Sequence, residues 1–387
     1  MVDCLISLVS RQVWPQILVA SHLRPRRLRL LHSADARESK QPARRLDRFF
    51  RRTGILGDVR ITTHCLPHDD TSKARRALDV AAKDTGCVVN LTGGNKLMAM
   101  AAMQWAQQHG FRACYLEKGL KLIWLETADG ALSSRVEEID RHMLDAIDPL
   151  HLVRCQIGSS DVEREGQVLA LNDKGRSLDC DEIPNFLINR GNPEDLLDVT
   201  GHADEESKKG DRLEFASTLA ILALGVPMVR RSLRLKTKAA EGLPVRRPHG
   251  EIDLVFNFGG QLWIVDCKDR ASHDWVVQRL EKELPETPGK KEAVDIVRNA
   301  LNQSEYKALK DDLLAATETG GLTGRIICVR RTALDPVSRR FAELNNVDLA
   351  SADDLVGSLR PVLQANRPAS ESDVASLVAA LNSASAL

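Results

Sequence analysis

Aromatic side chains are scarce in this sequence, 4% of 387 residues with two tyrosines among them. Its cores must therefore be built from Leu, Val, Ile and Ala rather than from stacked rings. No apolar run approaches the roughly 18–20 residues that a bilayer span needs, which removes a membrane-spanning class. The opening stretch MVDCLISLVS carries no basic residue ahead of its short apolar part and holds an acid inside it, so it does not read as a secretory signal. Eight cysteines stand singly at 4, 65, 87, 114, 155, 180, 267 and 328, with no CxxC pair. That spacing excludes a zinc ribbon and a disulfide scaffold, and predicts reduced thiols in the cytoplasm. Net charge is absent too, 54 basic residues against 54 acidic, so the chain as a whole selects no partner by sign.

What is present is enough chain for two or three cores at about 100–200 residues each. The charge is balanced overall but uneven: residues 1–60 carry 13 Lys/Arg against 5 Asp/Glu, a surplus of 8. Arg24, Arg26, Arg27 and Arg29, and then Arg44, Arg45, Arg48, Arg51 and Arg52, form two clusters. They read as solvated turn and helix surface, with a polyanion partner as the other reading.

Short apolar runs at 4–9, 28–32, 59–66, 87–91, 112–117 and 120–125 predict strands, and 13–23, 36–53, 72–85 and 95–108 predict helices. This alternation favours an open, mostly parallel sheet with helices on both faces. Right-handed crossovers then set strands one and four side by side near its middle. Ligands bind such sheets at the carboxyl ends of the strands where strand order reverses, which singles out the loops 10–15 and 92–96. The second loop runs from a strand through Thr92, Gly93, Gly94, Asn95 and Lys96 into a helix. Its glycines permit positive φ and close backbone approach, and the helix N-terminus beyond offers N–H donors and positive potential to a phosphate. A tight turn without a ligand is the plainer reading of two glycines. Met98, Met100 and Met103 are expected to form a buried helix face.

The segment from Asn90 to Ala99, followed by the hairpin Cys114–Glu117 and Ile123–Leu125, resembles the CARF domain of the CRISPR-associated CARF nucleases. The resemblance covers about the first 140 residues and is sharpest at Thr92-Gly93-Gly94-Asn95-Lys96. It implies a Rossmann-like sensor joined to a nuclease, a homodimer, and a cyclic oligoadenylate gripped across the two-fold axis. Carried over, Thr92, Gly93, Gly94, Asn95 and Lys96 would contact the activator, taken as cyclic tetra-adenylate. Ser10, Arg11 and Gln12 would face them from the loop after strand one, on position alone.

In the second half, a helix beginning near Arg212 ends at Gly225-Val226-Pro227. Glu251–Phe258 and Gln261–Lys268 read as two strands joined by the two-residue turn Gly259-Gly260. With period two, Leu262, Ile264, Asp266 and Lys268 share one face, and Trp263, Val265 and Cys267 the other. Asp253 on the partner strand can reach Asp266 and Lys268. Two carboxylates and an ammonium can hold Mg²⁺ or Mn²⁺ through hard oxygens, with Lys268 orienting or activating a water. A pair of edge-strand charges that merely bridge each other is the alternative.

The spacing of Asp253 from Asp266-Cys267-Lys268, behind a helix bearing Glu214, resembles the PD-(D/E)xK restriction-endonuclease-like fold over roughly residues 205–335, the apolar strand at 324–329 included. Asp253 lacks the preceding proline, Asp266 stands where Glu is commoner, and Gln303 and Tyr306 lie one residue too close for a QxxxY element. The resemblance implies Asp253, Asp266, Lys268 and Glu214 as catalytic residues, with Asp253, Asp266 and Cys267 as the metal set.

The two resemblances together predict an α/β chain: a CARF domain over 1–145, a connecting module over 146–204, a nuclease domain over 205–335 and a helical extension over 336–387. The implied activity is divalent-metal-dependent phosphodiester hydrolysis in type III CRISPR defence, switched on by cyclic oligoadenylate. Its substrate would be single-stranded DNA or RNA, with nicking of duplex DNA in the same reading. A non-catalytic regulator that binds nucleic acid and a constitutive restriction or repair enzyme are the competing classes. Arg246, Arg247, His249, Asp269 and Arg270 are candidate phosphate contacts or plain surface, turns are expected at 172–175 and 190–193, an exposed stretch at 204–210, and a frayed Ala/Ser-rich end at 369–387.

Overall fold

A computed structural model describes residues 2–81, 86–117, 119–128, 131–171, 178–179, 207–236, 250–268, 273–287, 289–321 and 324–364. Arg246, Arg247, His249, Asp269 and Arg270 lie outside the described residues, as do the turns at 172–175 and 190–193, residues 204–206 and the end 369–387. The chain divides into two compact units. The first holds Met1–Asp161 together with Phe258–Gln261 and Glu318–Thr323, and the second holds the rest.

The first unit is built on a seven-stranded sheet of β1 (Cys4–Leu8), β2 (Arg27–His32), β3 (Arg60–Cys65), β4 (Cys87–Asn90), β5 (Arg112–Leu116), β6 (Lys121–Ala128) and β7 (Ala131–Glu138), in the order β3-β2-β1-β4-β5-β6-β7. The first five strands of that order run parallel, and β6 and β7 return antiparallel. β1 lies between β2 and β4, with Cys4 level with Cys87 and Ser7 with Asn90. That is the reversal point expected from the crossover rule. The sequence reading stopped at β6, because β7 (ALSSRVEE) is polar and carries no apolar run.

The helices are α1 (Trp14–Leu23), α2 (Gln41–Thr53), α3 (Thr71–Ala81), α4 (Lys96–Gln108) and α5 (Pro149–Ile157). α1 is almost wholly buried, the polar Gln16 and Ser21 included. α2 is strongly two-faced, burying Pro42, Ala43, Leu46, Phe49 and Phe50, and it ends on Gly54 at φ 63°. The expected helix at 36–53 begins with a separate wide turn, Ala36–Lys40, whose first N–H groups are capped by Asp35. The methionine series is not one buried face. Met98 is buried, Met103 half-buried and Met100 is 55% exposed, because residues two apart lie about 200° apart around a helix.

The second unit carries an eight-stranded sheet. Its strands are β8 (Val162–Arg164), β9 (Gln167–Leu171), β10 (Leu178–Asp179), β11 (Met228–Leu235), β12 (Glu251–Phe258), β13 (Gln261–Lys268), β14 (Gly324–Arg330) and β15 (Asp348–Ser351). The order is β10-β9-β11-β12-β13-β14-β15, with β8 beside β11. β13, β14 and β15 run parallel, and the β11 side is antiparallel. The helices are α6 (Ser207–Ala223), α7 (His273–Glu283), α8 (Lys290–Gly320), α9 (Pro336–Leu344) and α10 (Leu355–Leu363). The stretch read in the sequence as a polar connecting module holds α5, whose Leu150, Leu152, Val153 and Cys155 are buried, and the strands β8 to β10. Among the described residues no helix is long and apolar enough to cross a membrane.

Candidate functional site

Two arrangements stand out, one in each unit. The first is the turn from β4 into α4. Asn90 is fully buried, and its Oδ1 accepts from the Thr92 N–H at 3.0 Å and from the Thr92 hydroxyl at 2.6 Å. Asn90 Nδ2 donates to Ser7 Oγ on β1 at 3.1 Å. The Thr92 hydroxyl also accepts from the Leu116 N–H of β5 at 2.8 Å. Asn95 caps α4 by accepting from the Met98 N–H at 2.8 Å, and its Nδ2 donates to the His68 carbonyl at 2.9 Å. These side chains therefore shape and brace the loop itself.

The two glycines have different duties. Gly94 sits at φ 74°, in the left-handed region. Gly93 is needed for space: a Cβ there would run into the main-chain carbonyl of Leu8 on β1, well inside contact distance. What the turn offers outward is its backbone and one charge. The first-turn N–H groups of α4 have no intrahelical acceptor by construction, and Lys96 is exposed beside them. Leu97 and Met100, on the same helix, are 42% and 55% exposed.

The facing loop follows the adjacent strand. Ser10 Oγ donates to the Gln12 carbonyl at 3.4 Å, the Arg11 carbonyl accepts from Gln156 Nε2 at 3.3 Å, and exposed Arg11 lies 3.9 Å from Glu38. Ser10 and Gln12 are half-buried. Ser10, Arg11 and Gln12 thus stand at the end of the strand next to the one that delivers Thr92–Lys96.

The second arrangement is the hairpin β12–β13, with Gly259 and Gly260 at φ 61° and 75° in the turn. Both central residues at positive φ fit a type I′ turn, which matches the strand twist and fixes the register. Asp253 Oδ2 accepts from the Cys267 N–H at 2.8 Å, so the carboxylate is tied to the residue between Asp266 and Lys268. Lys268 Nζ donates to Asp266 Oδ1, and Asp266 is 7% exposed. Asp266 Oδ2 is buried without a hydrogen bond among the described residues, and Arg330 Nη2 faces it at 3.9 Å. Burial first, and the neighbouring Asp266 charge second, push the Asp253 carboxyl up to about 6. Burial acts to lower the Lys268 ammonium, but the charges of Asp266 and Asp253 outweigh it and hold the pKa above its ordinary value. The two carboxylates therefore favour the charged form of Lys268.

Glu214 on α6 is half-buried with Arg231 at 4.0 Å, and its charge reaches the Cys267 thiol. That thiol donates to Ser217 Oγ at 3.7 Å, and burial followed by the Asp253 charge pushes it well above the ordinary range. A thiolate ligand from Cys267 does not fit this setting. Among the described residues no group of three or more His, Cys, Asp or Glu is arranged to hold a metal ion. The donor set that does fit a hard cation is the pair Asp253 and Asp266, with a buried carboxylate oxygen lacking a hydrogen bond at its centre.

Sequence reasoning missed three members of this centre. Arg330 on β14 is level with Lys268 and is held by Glu305 of α8 at 2.8 Å. Asp312, also on α8, is buried, and its charge raises the Asp253 carboxyl and the Cys328 thiol. Positions 305, 309, 312 and 316 recur on one helix face, on which Leu309 and Ala316 are buried. An acid at 312 on that apolar stripe was the available signal. Tyr306 does not enter the centre; its ring meets Phe341 at 4.9 Å.

The architecture is a Rossmann-like unit on a mostly parallel sheet followed by a second α/β unit, the fold class expected from the sequence. The chain shares it with Can2 of Sulfobacillus thermosulfidooxidans, solved in complex with cyclic tetra-adenylate, at a TM-score of 0.58 and 13% identity over 94% of this chain and all of that one. It shares it also with the protein VC1899 of Vibrio cholerae, at a TM-score of 0.56 and 13% identity over 95% of this chain and 99% of that one. At such identity the likeness is one of fold. Neither protein-family models nor curated proteins give a match to the chain.

Proposed function

We propose that the chain is a cyclic-oligoadenylate-activated, divalent-metal-dependent nuclease of type III CRISPR defence, acting on single-stranded DNA or RNA. The observation that carries the reading is the convergence of Asp253, Asp266 and Lys268 on one hairpin, with Asp266 bonded to Lys268 and electrostatically coupled to Asp253. It is the PD-(D/E)xK pattern that the spacing suggests. The two carboxylates would hold Mg²⁺ or Mn²⁺, and a bound cation of that kind lowers the pKa of a water and neutralises charge that builds on a phosphate. Lys268 would orient that water or a phosphate oxygen. Arg330, held by Glu305, adds a second positive group beside Asp266. Glu214, paired with Arg231, would act from the Cys267 side of the strand, where the Cys267 thiol is engaged with Ser217.

The activator reading rests on the β4–α4 turn and on the fold shared with a protein solved with cyclic tetra-adenylate. Main-chain N–H groups of Gly93 to Lys96 and the Lys96 ammonium suit phosphates. Thr92 and Asn95 would act by holding the loop, with Ser10, Arg11 and Gln12 on the neighbouring strand end. Exposed Leu97 and Met100 support a homodimer in which two such turns share one ring-shaped ligand. The test is cleavage of labelled single-stranded DNA and RNA with Mn²⁺ or EDTA, with and without cyclic tetra-adenylate, by the natural chain and by Asp266→Asn. Metal- and activator-dependent cutting lost in Asp266→Asn is the expected result. Binding without cutting identifies the Asp266–Lys268 pair as structural and the protein as a regulator; full cutting without activator identifies a constitutive enzyme.

A further inference from the structure

The first unit carries a basic cleft between α2 and α5 that neither proposed site uses. Arg45, Arg48, Phe49, Arg52, His151 and Arg154 line it, and no carboxylate does. Arg45 is part of the wall: its Nε donates to the Cys155 carbonyl at 2.6 Å and its Nη2 to the Gln156 carbonyl at 2.9 Å. Burial lowers the pKa of its guanidinium, and the Asp161 charge works against that. Arg48 and Arg52 differ. Both are exposed, one turn apart on α2, and neither makes a hydrogen bond or ion pair among the described residues. The carboxylate in their midst, Asp47, is bonded to Arg51 at 2.9 Å. Like charges four residues apart destabilise a helix; Arg52 recovers part of that in the last turn of α2, where the dipole favours a cation, and Arg48 does not.

We propose that this cleft binds the phosphate backbone of a single-stranded nucleic acid, through Arg48 and Arg52 with Arg45 as a fixed wall. Guanidinium forks match phosphate oxygens two at a time. Charges set about 5–6 Å apart along a helix suit a repeating anion on a flexible chain. The apolar lining, Phe49 and Cys155, is buried, so the cleft offers no exposed apolar anchor of the kind a protein interface is built around. Such binding needs no metal and no hydrolysis, and so stands apart from the proposed nuclease chemistry.

The experiment is fluorescence anisotropy of labelled single-stranded DNA and RNA oligonucleotides with the full chain in EDTA, across a salt series. Arg48→Gln/Arg52→Gln is compared with Lys40→Gln/Arg44→Gln, which removes the same charge from exposed positions outside the cleft. Binding to at least one strand type falls tenfold or more in the cleft variant, and its log–log salt slope drops by about 1.4, two phosphates at about 0.7 each. The control stays within about twofold of the natural chain. Arg48→Lys/Arg52→Lys keeps the salt slope, since the charge is kept. Equal weakening in the two Gln variants, no strand binding by the natural chain, full competition by inorganic phosphate, or loss of cyclic tetra-adenylate binding in place of strand binding would each overturn the site. Strand binding that survives in a natural chain unable to cut sinks the nuclease reading alone.

Discussion

The β4–α4 turn and the β12–β13 hairpin divide labour between main chain and side chain in opposite ways. In the turn, Asn90, Thr92 and Asn95 spend their polar atoms on holding the backbone, and the backbone with Lys96 is what faces outward. In the hairpin, the backbone N–H of Cys267 holds Asp253, and the charged side chains are what the site presents. A loop that reads phosphates through N–H groups tolerates exposure, because those donors carry no net charge to desolvate. In a buried carboxylate centre low dielectric strengthens every charge–charge term, but desolvation penalises each charge, so the centre must balance its own charges. Lys268 and Arg330 provide that balance, while burial first and the Asp266 charge second raise the Asp253 carboxyl.

The contrast can be broken in four places. Asp266→Asn has the largest expected effect: cleavage falls by at least about a hundredfold, while activator affinity changes by less than about threefold, as read by turnover assay and by titration calorimetry. Gly93→Ala comes next. Its methyl group has no room against the Leu8 carbonyl, so the fold loses about 2–3 kcal/mol in a denaturant melt; a neutral outcome would contradict the packing of the turn on β1.

Asp253→Asn tests the hairpin's charge balance. A carboxyl raised to about 6 binds its proton more tightly folded than unfolded, so in chelator the stability it contributes falls as pH rises from about 4 to 6 and stays low above. The Asn variant removes that fall and is more stable than the natural chain at pH 7 by roughly 2 kcal/mol, with the difference vanishing near pH 4. Paired thermal melts across that range decide it. Lys96→Ala is the smallest: the activator concentration for half-maximal cleavage rises about tenfold, as for one charge-assisted hydrogen bond, and the melting temperature stays unchanged because the side chain is exposed.

Both sites were legible in the sequence as local patterns. Strand, two glycines and helix placed the turn, and an alternating D-x-K strand behind a two-glycine turn placed the hairpin, with the observed ends of β12 and β13 where the pattern set them. Their inner workings were less so. Gly93 and Gly94 look alike in a string, yet one answers to φ and the other to a carbonyl on a strand more than eighty residues earlier. Met100 followed Met98 in composition but not in direction. Glu305, Asp312 and Arg330 carry no motif, because what brings them to Asp266 is the docking of a long helix and a parallel strand.

By itself the sequence determined what depends on neighbours along the chain: hydrophobic period, turn chemistry, and which charges share a strand face. Only the tertiary structure decided which side chains are desolvated together and which backbone atoms leave no room for a Cβ. Those depend on residues distant in sequence meeting at a few ångströms, and the electrostatics of the hairpin, with Asp253 raised and the charged form of Lys268 favoured, follow from that meeting.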